Sequence, residues 1–506
     1  MNIPDNTPIL VGVGQVTEKS PELDDASSPL QLMEQASNLA FEDAGLSDRP
    51  SSGLDAVVVV KSFREPMRNT PEALVNALGT PDVRRWIIPD GGYGPQYLVN
   101  LFSQKIAACE HEMVLLTGAE AMATGRKIVK SGKKIPWDIP SDSDPEYLYS
   151  VPEMWNEHER AHGIWQASSV YPLFENALRH NLGRTIEEHQ LAMGALFSRL
   201  SEVAERSPHA WFPVCRSPEE IAWPSDANRY VGWPYTKYMN AMNQINQSAS
   251  LLLTSVGHAR ALGLDPSRWV YLHGCADVTE IWDITRRVDY HSAPAISVLG
   301  REALTMAQKS IEDIAHIDLY SCFPSAVSIA CRELGIAEGD PRDLTVTGGL
   351  AFHGGAGNNY VMNSIAAMVE QLRGDPGSFG LVTANGGYLS RHSAGIYSTT
   401  PTVGSWQRPD PTVYQREIDS LPSPDFTEQP EGAATIETYS IVFGRDNTPE
   451  FGIVIGRLGR NPQAGVRFIA KVTPDAEILS RMTQSDYIGH SGHVTRINDV
   501  NVLTPD

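Results

Sequence analysis

The segment Gly91-Gly-Tyr-Gly-Pro-Gln-Tyr-Leu-Val-Asn100 returns 263 residues later as Gly354-Gly-Ala-Gly-Asn-Asn-Tyr-Val-Met-Asn363, with five of the ten positions identical. Each copy opens a helix-like run, residues 98–108 and 361–372. Each run leads into a buried-strand pattern, residues 113–117 and 379–383. One βαβ-type unit used twice fixes the architecture before any other signal does. A glycine-rich turn ahead of a helix also gathers backbone N–H groups at a helix N-terminus. Two such turns facing one another would make one shared site.

The flanking pattern agrees. Residues 9–13 read as a strand, and a helix follows with Ser28 as N-cap, Pro29 in its first turn and Gly45 past its end. Ala56-Val-Val-Val-Val60 is apolar throughout, as a strand covered on both faces must be. The second half repeats the alternation: a helix over 302–314, a strand over 317–320, and a helix opened by Pro324. Alternating helix and strand patterns point to an α/β sandwich of two duplicated halves. The expected organisation is residues 1–265 for the first half, including an inserted loop domain at 123–245, and 266–410 for the second. The insertion holds six of the ten tryptophans (137, 155, 165, 211, 223, 233) and reads as a folded excursion, its aromatics serving either a pocket wall or a small core. Prolines between 401 and 430 read as a linker. Residues 435–443, 451–457, 466–472 and 493–497 read as short strands with glycine and Asn461-Pro462 breaks, which makes 425–506 a β-rich, OB-like appendage.

The composition is that of a globular chain of 506 residues, 41% hydrophobic and 20% charged. A net charge of −21 argues against nucleic acid and anionic membranes as partners. Five scattered cysteines without CxxC spacing, no basic-then-apolar leader and no membrane-length apolar run together lead us to expect a cytoplasmic protein.

Two short motifs invite chemistry and are set aside. His158-Glu-Arg-Ala-His162 matches HExxH, yet Gly163 follows at once and no adjacent third ligand is evident, so no metal is expected. Gly12-Val-Gly14 lacks the third glycine of a dinucleotide fingerprint and reads as a turn in or after the first strand.

Four other segments carry a resemblance. Gly348-Gly-Leu-Ala-Phe-His-Gly-Gly355 is similar to the GGxxxxGHP motif of the thiolase superfamily. Tyr320-Ser-Cys-Phe323 resembles its NEAF motif, or HDCF in the sterol-carrier-protein branch. Ala384-Asn-Gly-Gly387 resembles CxGGG, and Asn246-Gln-Ser-Ala-Ser-Leu-Leu-Leu253 the segment DGAAALLL. The likeness spans about residues 8–400, and the appended β segment is most like bacterial type 1 thiolase-like proteins. The resemblance implies a thiolase fold, an acetyl-CoA acetyltransferase class, an acyl-CoA ligand in lipid metabolism with no further cofactor, and a homodimer, or a monomer if the appendage covers that surface.

The departures bear on function. Counting back from Thr117-Gly-Ala-Glu-Ala-Met122, which resembles GGMESM, the nucleophilic cysteine falls on Gly92. The GHP histidine falls on Gly355, the second cysteine on Ala384, and the asparagine of NEAF on Tyr320. Glycine cannot replace a thiolate. Backbone donors implied by the resemblance survive at Gly92 and Gly386. The expected substrate-binding residues are therefore Gly92, Tyr93, Gly355 and Gly386, with Tyr320, Cys322 and His353 as candidates for any residual catalysis. Three functions follow from this: an acyl-CoA or pantetheine-thioester binder without thiolase turnover, a non-covalent carbon–carbon enzyme such as a retro-aldolase on β-hydroxyacyl-CoA (for which Tyr320, Tyr93 and Tyr360 are available), or a non-catalytic scaffold.

Overall fold

The computed structural model describes residues 3–19, 22, 26–47, 53–64, 67–459 and 465–506; the Asn461-Pro462 break lies outside them. The strands of the first half are β1 (Pro8–Thr17), β2 (Ala56–Val60), β3 (Arg84–Ile88) and β4 (Met113–Ala121). The insertion contributes β5 (Tyr230–Trp233) and β6 (Tyr235–Thr236), after which β7 (Asn246–Ser255) returns to the core. The second half holds β8 (Val270–Thr279), β9 (His316–Asp318), β10 (Phe379–Gly386) and β11 (Arg391–Ser398). The appendage holds β12 (Gly432–Phe443), β13 (Pro449–Leu458), β14 (Arg467–Val472), β15 (Ser491–Ile497) and β16 (Val500–Pro505).

Nine strands form one sheet in the order β3-β2-β4-β7-β1-β8-β11-β10-β9. Apart from the edge strand β3, which has no counterpart, the order mirrors itself about the β1–β8 junction, where only Ile9 and Leu10 pair with Tyr271 and Val270. In both halves the inner pairings are antiparallel and the outer ones parallel. The duplication extends to a close contact. A Cβ at Gly12 of β1 would strike the Ala40 carbonyl of the helix Pro29–Asp43, and a Cβ at Gly274 of β8 would strike the Ala303 carbonyl of the helix Pro294–Ala307. Glycine lets strand and helix approach at both places.

The two glycine turns open the helices Gly94–Ala107 and Tyr360–Gly374, which pack on one another and on strands of both halves. Residues 360–366 are buried without exception, as a helix in a central layer requires. Strand β2 shows why it must be apolar on both faces. Val57 and Val59 join Leu32, Met33 and Phe41 beneath the outer helix, whereas Val58 and Val60 join Leu98 and Phe102 on the central side.

Several boundaries differ from the sequence reading. The second-half helix runs from Pro294 to Ala307 and stops where Gln308 turns left-handed (φ 54°), so 311–313 form a separate short turn. Strand β9 ends at Asp318, which leaves Tyr320 in the loop beyond it. The proline-rich stretch contains the helix Pro411–Asp419, docked through the buried Tyr414 and Ile418, with the Tyr414 hydroxyl accepting from the Asp277 N–H. In the appendage β12, β13, β14, β16 and β15 pair in sequence and close on themselves into a small barrel, including β16, which the sequence pattern had not marked. Strand β5 of the insertion joins β12, and Trp233 stacks on Tyr439 in the barrel core (5.7 Å). The outer edge at β3 is covered by the chain's own residues 146–148: Ile87 N–H donates to the Glu146 carbonyl (2.9 Å), and Leu148 N–H to that of Ile87 (3.0 Å). No helix among the described residues is long and apolar enough to cross a membrane.

One buried cation ties the barrel to the second half. Arg467, fully buried, pairs with Glu437 and donates to the carbonyls of Thr285, Arg287 and Val288. Removing it strips the donor from those three carbonyls and leaves Glu437 with Arg457 alone (3.1 Å), so Arg467→Ala should lower unfolding stability by about 3 kcal/mol, read from a shifted denaturation midpoint.

Candidate functional site

The site is built where four loops meet. Gly91 (φ 146°) and Gly92 lead into the helix Gly94–Ala107; Tyr320–Phe323 follows β9; Ala384–Gly386 ends β10; and the second glycine turn closes the group. Asn358 of that second turn bridges them. Its Oδ1 accepts from the Gly91 N–H (2.9 Å), and its Nδ2 donates to the Lys61 carbonyl (2.8 Å) and to Asp90 (3.0 Å).

The space over Gly92 is occupied. A Cβ there would fall on the Tyr320 hydroxyl and lie 2.7 Å from the Asn385 carbonyl. A Cβ at Gly386 would meet the Tyr93 ring at 2.5 Å, and one at Gly355 would meet Asn243 Oδ1 at 2.7 Å. Gly92, Tyr93, Gly386 and Tyr320 are thus assembled at one point. Tyr93 is fixed from outside by Arg391, whose guanidinium donates to its hydroxyl (2.6 Å) and lies over its ring (4.8 Å). Neither Gly92 nor Tyr93, both buried, donates its backbone N–H to an acceptor among the described residues. Two orphaned buried amides at a helix start are unusual.

Cys322 is buried beside this cluster, its sulfur 4.0 Å from Asn385 Nδ2, and burial pushes its thiol up to about 12. The insertion supplies a side chain that no sequence pattern marks. Tyr171 accepts from Asn385 Nδ2 (2.8 Å), donates to the Gly387 carbonyl (3.2 Å), and stacks on Phe323 at 4.5 Å. Tyr235 stacks on Phe323 as well (5.3 Å). Burial raises the phenols of Tyr320 and Tyr171 well above the ordinary tyrosine range. His392, another residue unmarked in the sequence, reaches the same place; its Nε2 has no partner, and burial pushes its imidazole down to about 3. Between Tyr320, Thr383, Ala384, Asn385 and His392 lies a cavity of about 10 Å³, room for roughly one water.

His353 takes a different direction. It lines a polar cleft with Gln15, His209 and Glu370, and its ring touches Tyr360 (5.8 Å), which in turn touches Tyr320 (5.9 Å). It is 1% exposed, and burial pushes its imidazole down to about 3. Tyr320 and Cys322 therefore share the site, and His353 stands behind it.

The HExxH segment is structural. His162 Nδ1 faces the His158 carbonyl (2.7 Å), and its Nε2 accepts from the Asn501 N–H of the barrel (2.9 Å). Glu159 accepts from the Thr285 N–H and hydroxyl (both 2.9 Å). Those partners occupy both ring nitrogens of His162 and the Glu159 carboxylate, while His158 Nε2 is buried without a partner. Among the described residues no cluster of three or more His, Cys, Asp or Glu could hold a metal ion.

Comparison with known proteins places this geometry. The profile of the thiolase-like protein type 1 additional C-terminal domain matches residues 414–498. A monomeric SCP2-thiolase-like protein type 1 from Mycobacterium smegmatis is 36% identical, with 99% of each chain covered and a TM-score of 0.86. Two further structures share the fold at low identity. The Ltp2-ChsH2(DUF35) aldolase is 18% identical over 78% of this chain and 98% of that one, TM-score 0.59. The acetyl-CoA acetyltransferase of Syntrophomonas wolfei is 15% identical over 78% of this chain and 100% of that one, TM-score 0.53. No curated protein sequence matches significantly.

Buried neutral histidines make stability depend on pH in one direction. His353 stays unprotonated in the fold down to about 3, whereas in the unfolded chain it takes a proton near 6.5. Its contribution is complete above about pH 6.5 and is lost as pH falls below that, by up to about 1.4 kcal/mol per pH unit. Unfolding measured from pH 7 to 5 should therefore show a shallower loss of stability in His353→Gln than in the parent chain.

Proposed function

Since the chain belongs to the SCP2-thiolase-like protein type 1 family but carries glycine, glycine and alanine where thiolase chemistry uses thiolate, imidazole and thiol, we propose that it binds a pantetheine thioester such as acyl-CoA without turning it over as a thiolase does. The observation carrying this reading is the pair of unpartnered buried amides at Gly92 and Tyr93, set at a helix N-terminus beside Tyr320 with no nucleophile between them. Such donors stabilise a polarised carbonyl oxygen. Binding and chemistry draw on different contacts, so loss of the thiolate leaves the donors intact.

The protonation states argue against catalysis at the same place. The Cys322 thiol and the Tyr320 and Tyr171 phenols are held protonated, and His392 is held as a very weak base. A retro-aldol step needs a group that takes the β-hydroxyl proton near neutral pH, and a general base works best with a pKa near the operating pH. In the closed site none of these groups is poised for that step, so Tyr320 and Cys322 are assigned to packing and binding there. A cavity of about 10 Å³ is too small for a thioester, so its lining, Tyr320, Asn385 and Leu389 among it, must yield before one enters. That closure is the one observation favouring the scaffold reading. Coverage of the β3 edge by residues 146–148 supports a monomer, the state named for the Mycobacterium smegmatis relative.

Calorimetry with acetyl-CoA separates the readings. The parent chain should give a saturable heat, and Gly386→Val, whose side chain would collide with Tyr93, should give none. Acetoacetyl-CoA should not be thiolysed, and turnover of roughly 1 per second or more would contradict the proposal. Absence of any heat or thermal shift at millimolar thioester would favour the scaffold.

A further inference from the structure

A second cleft opens at the C-terminal end of β4, with a volume of about 550 Å³, and it shares no lining residue with the cavity at Tyr320. Four cations line it: Arg64 from the loop after β2, Arg126 and Lys130 from the helix Met122–Lys130, and Arg445 from the turn between β12 and β13. None of the four makes an ion pair or hydrogen bond with the rest of the described chain, although Asp138 also lines the cleft. Three separate chain segments thus bring free positive charge to one concavity, in a chain whose net charge is −21. Like charges gathered in a cleft repel one another and focus a positive potential that an anion relieves.

The remaining lining narrows the ligand. Trp137 is half-buried, packed near Gly125, and presents its indole to the cleft. The Gln244 carboxamide oxygen has no donor and lines the same space. Glu120 at the base is engaged by the Phe63 N–H (2.7 Å). The volume falls in the range of roughly 300–1,000 Å³ typical of small-molecule sites. An aromatic platform, an unpaired acceptor and several free cations together suit a nucleobase carrying two or more phosphates. We propose that this cleft is a nucleotide site, with the phosphates on Arg64, Arg126, Lys130 and Arg445, the base against Trp137, and an exocyclic amine donating to Gln244.

The proposal stands apart from thioester binding at Gly92, and its test keeps the two distinct. Calorimetry on the full chain with ADP and, separately, with inorganic pyrophosphate should show saturable binding that weakens as salt is raised. The double variant Arg126→Ala/Arg445→Ala should bind both probes about tenfold or more weakly, through loss of charge-assisted contacts. Trp137→Ala should weaken ADP but leave pyrophosphate unchanged, because only ADP has a ring to stack. Gly386→Val, which blocks the Gly92 site, should leave ADP binding as it was. The substituted arginines are exposed, so the double variant should keep the parent's thermal unfolding midpoint. No saturable ADP binding at millimolar concentration, or binding that the double variant leaves unaltered, would overturn the assignment.

Discussion

Asn358 holds the molecule's two related halves in register at the place where their chemistry would occur. Its carboxamide accepts from the first glycine turn and donates to Lys61 and Asp90, while its own backbone belongs to the second turn. The Lys61–Asp90 ion pair (2.8 Å) sits against the same amide. With the turns locked together, the two buried helices they open must lie side by side in the central layer, and the loops after β9 and β10 are brought over Gly92. Everything described at the site follows from that juxtaposition.

The consequence is a closed, glycine-lined site at the position where the thiolase resemblance puts a nucleophile. Deleting a cysteine in a packed interior leaves a volume that collapse or a neighbour must fill, since voids forfeit contacts. Here the Tyr320 hydroxyl and the Asn385 carbonyl occupy the space over Gly92, and Tyr171 from the insertion holds the Asn385 side chain. The same burial that closes the site also sets its electrostatics: thiol and phenols are kept protonated, and imidazoles are kept neutral. Packing and protonation thus point the same way. The backbone donors of Gly92 and Tyr93 are untouched by either, because they belong to the turn and not to any side chain.

Much of this was legible in the sequence for definite reasons. The repeat, the glycine turns and the all-apolar β2 are local patterns that survive without tertiary context, and the motifs marked Gly92, Ala384 and Tyr320, which the structure gathers in one place. The helix 302–314 was misplaced because its periodicity continues past Gln308, where a left-handed residue, not a change of polarity, ends it. The role of Tyr171 was hidden by a separation of more than two hundred residues from Asn385 and by the insertion's lack of pattern. Barrel closure through β16 and the docking of residues 411–419 depend on long-range pairing that no local window encodes. The HExxH match shows the opposite failure: the local spacing fits, yet Thr285 and Asn501, far away in sequence, engage Glu159 and His162.

The central claim is that this thiolase fold binds a thioester without forming a covalent acyl intermediate. Intact-mass spectrometry of the protein after incubation with excess acetyl-CoA tests it most directly. The account predicts an unmodified mass, because Gly92 has no nucleophile and the Cys322 thiol, pushed up to about 12, is not ionised at neutral pH. A stoichiometric gain of one acetyl group, mapped to Cys322 and accompanied by release of free CoA, would contradict it.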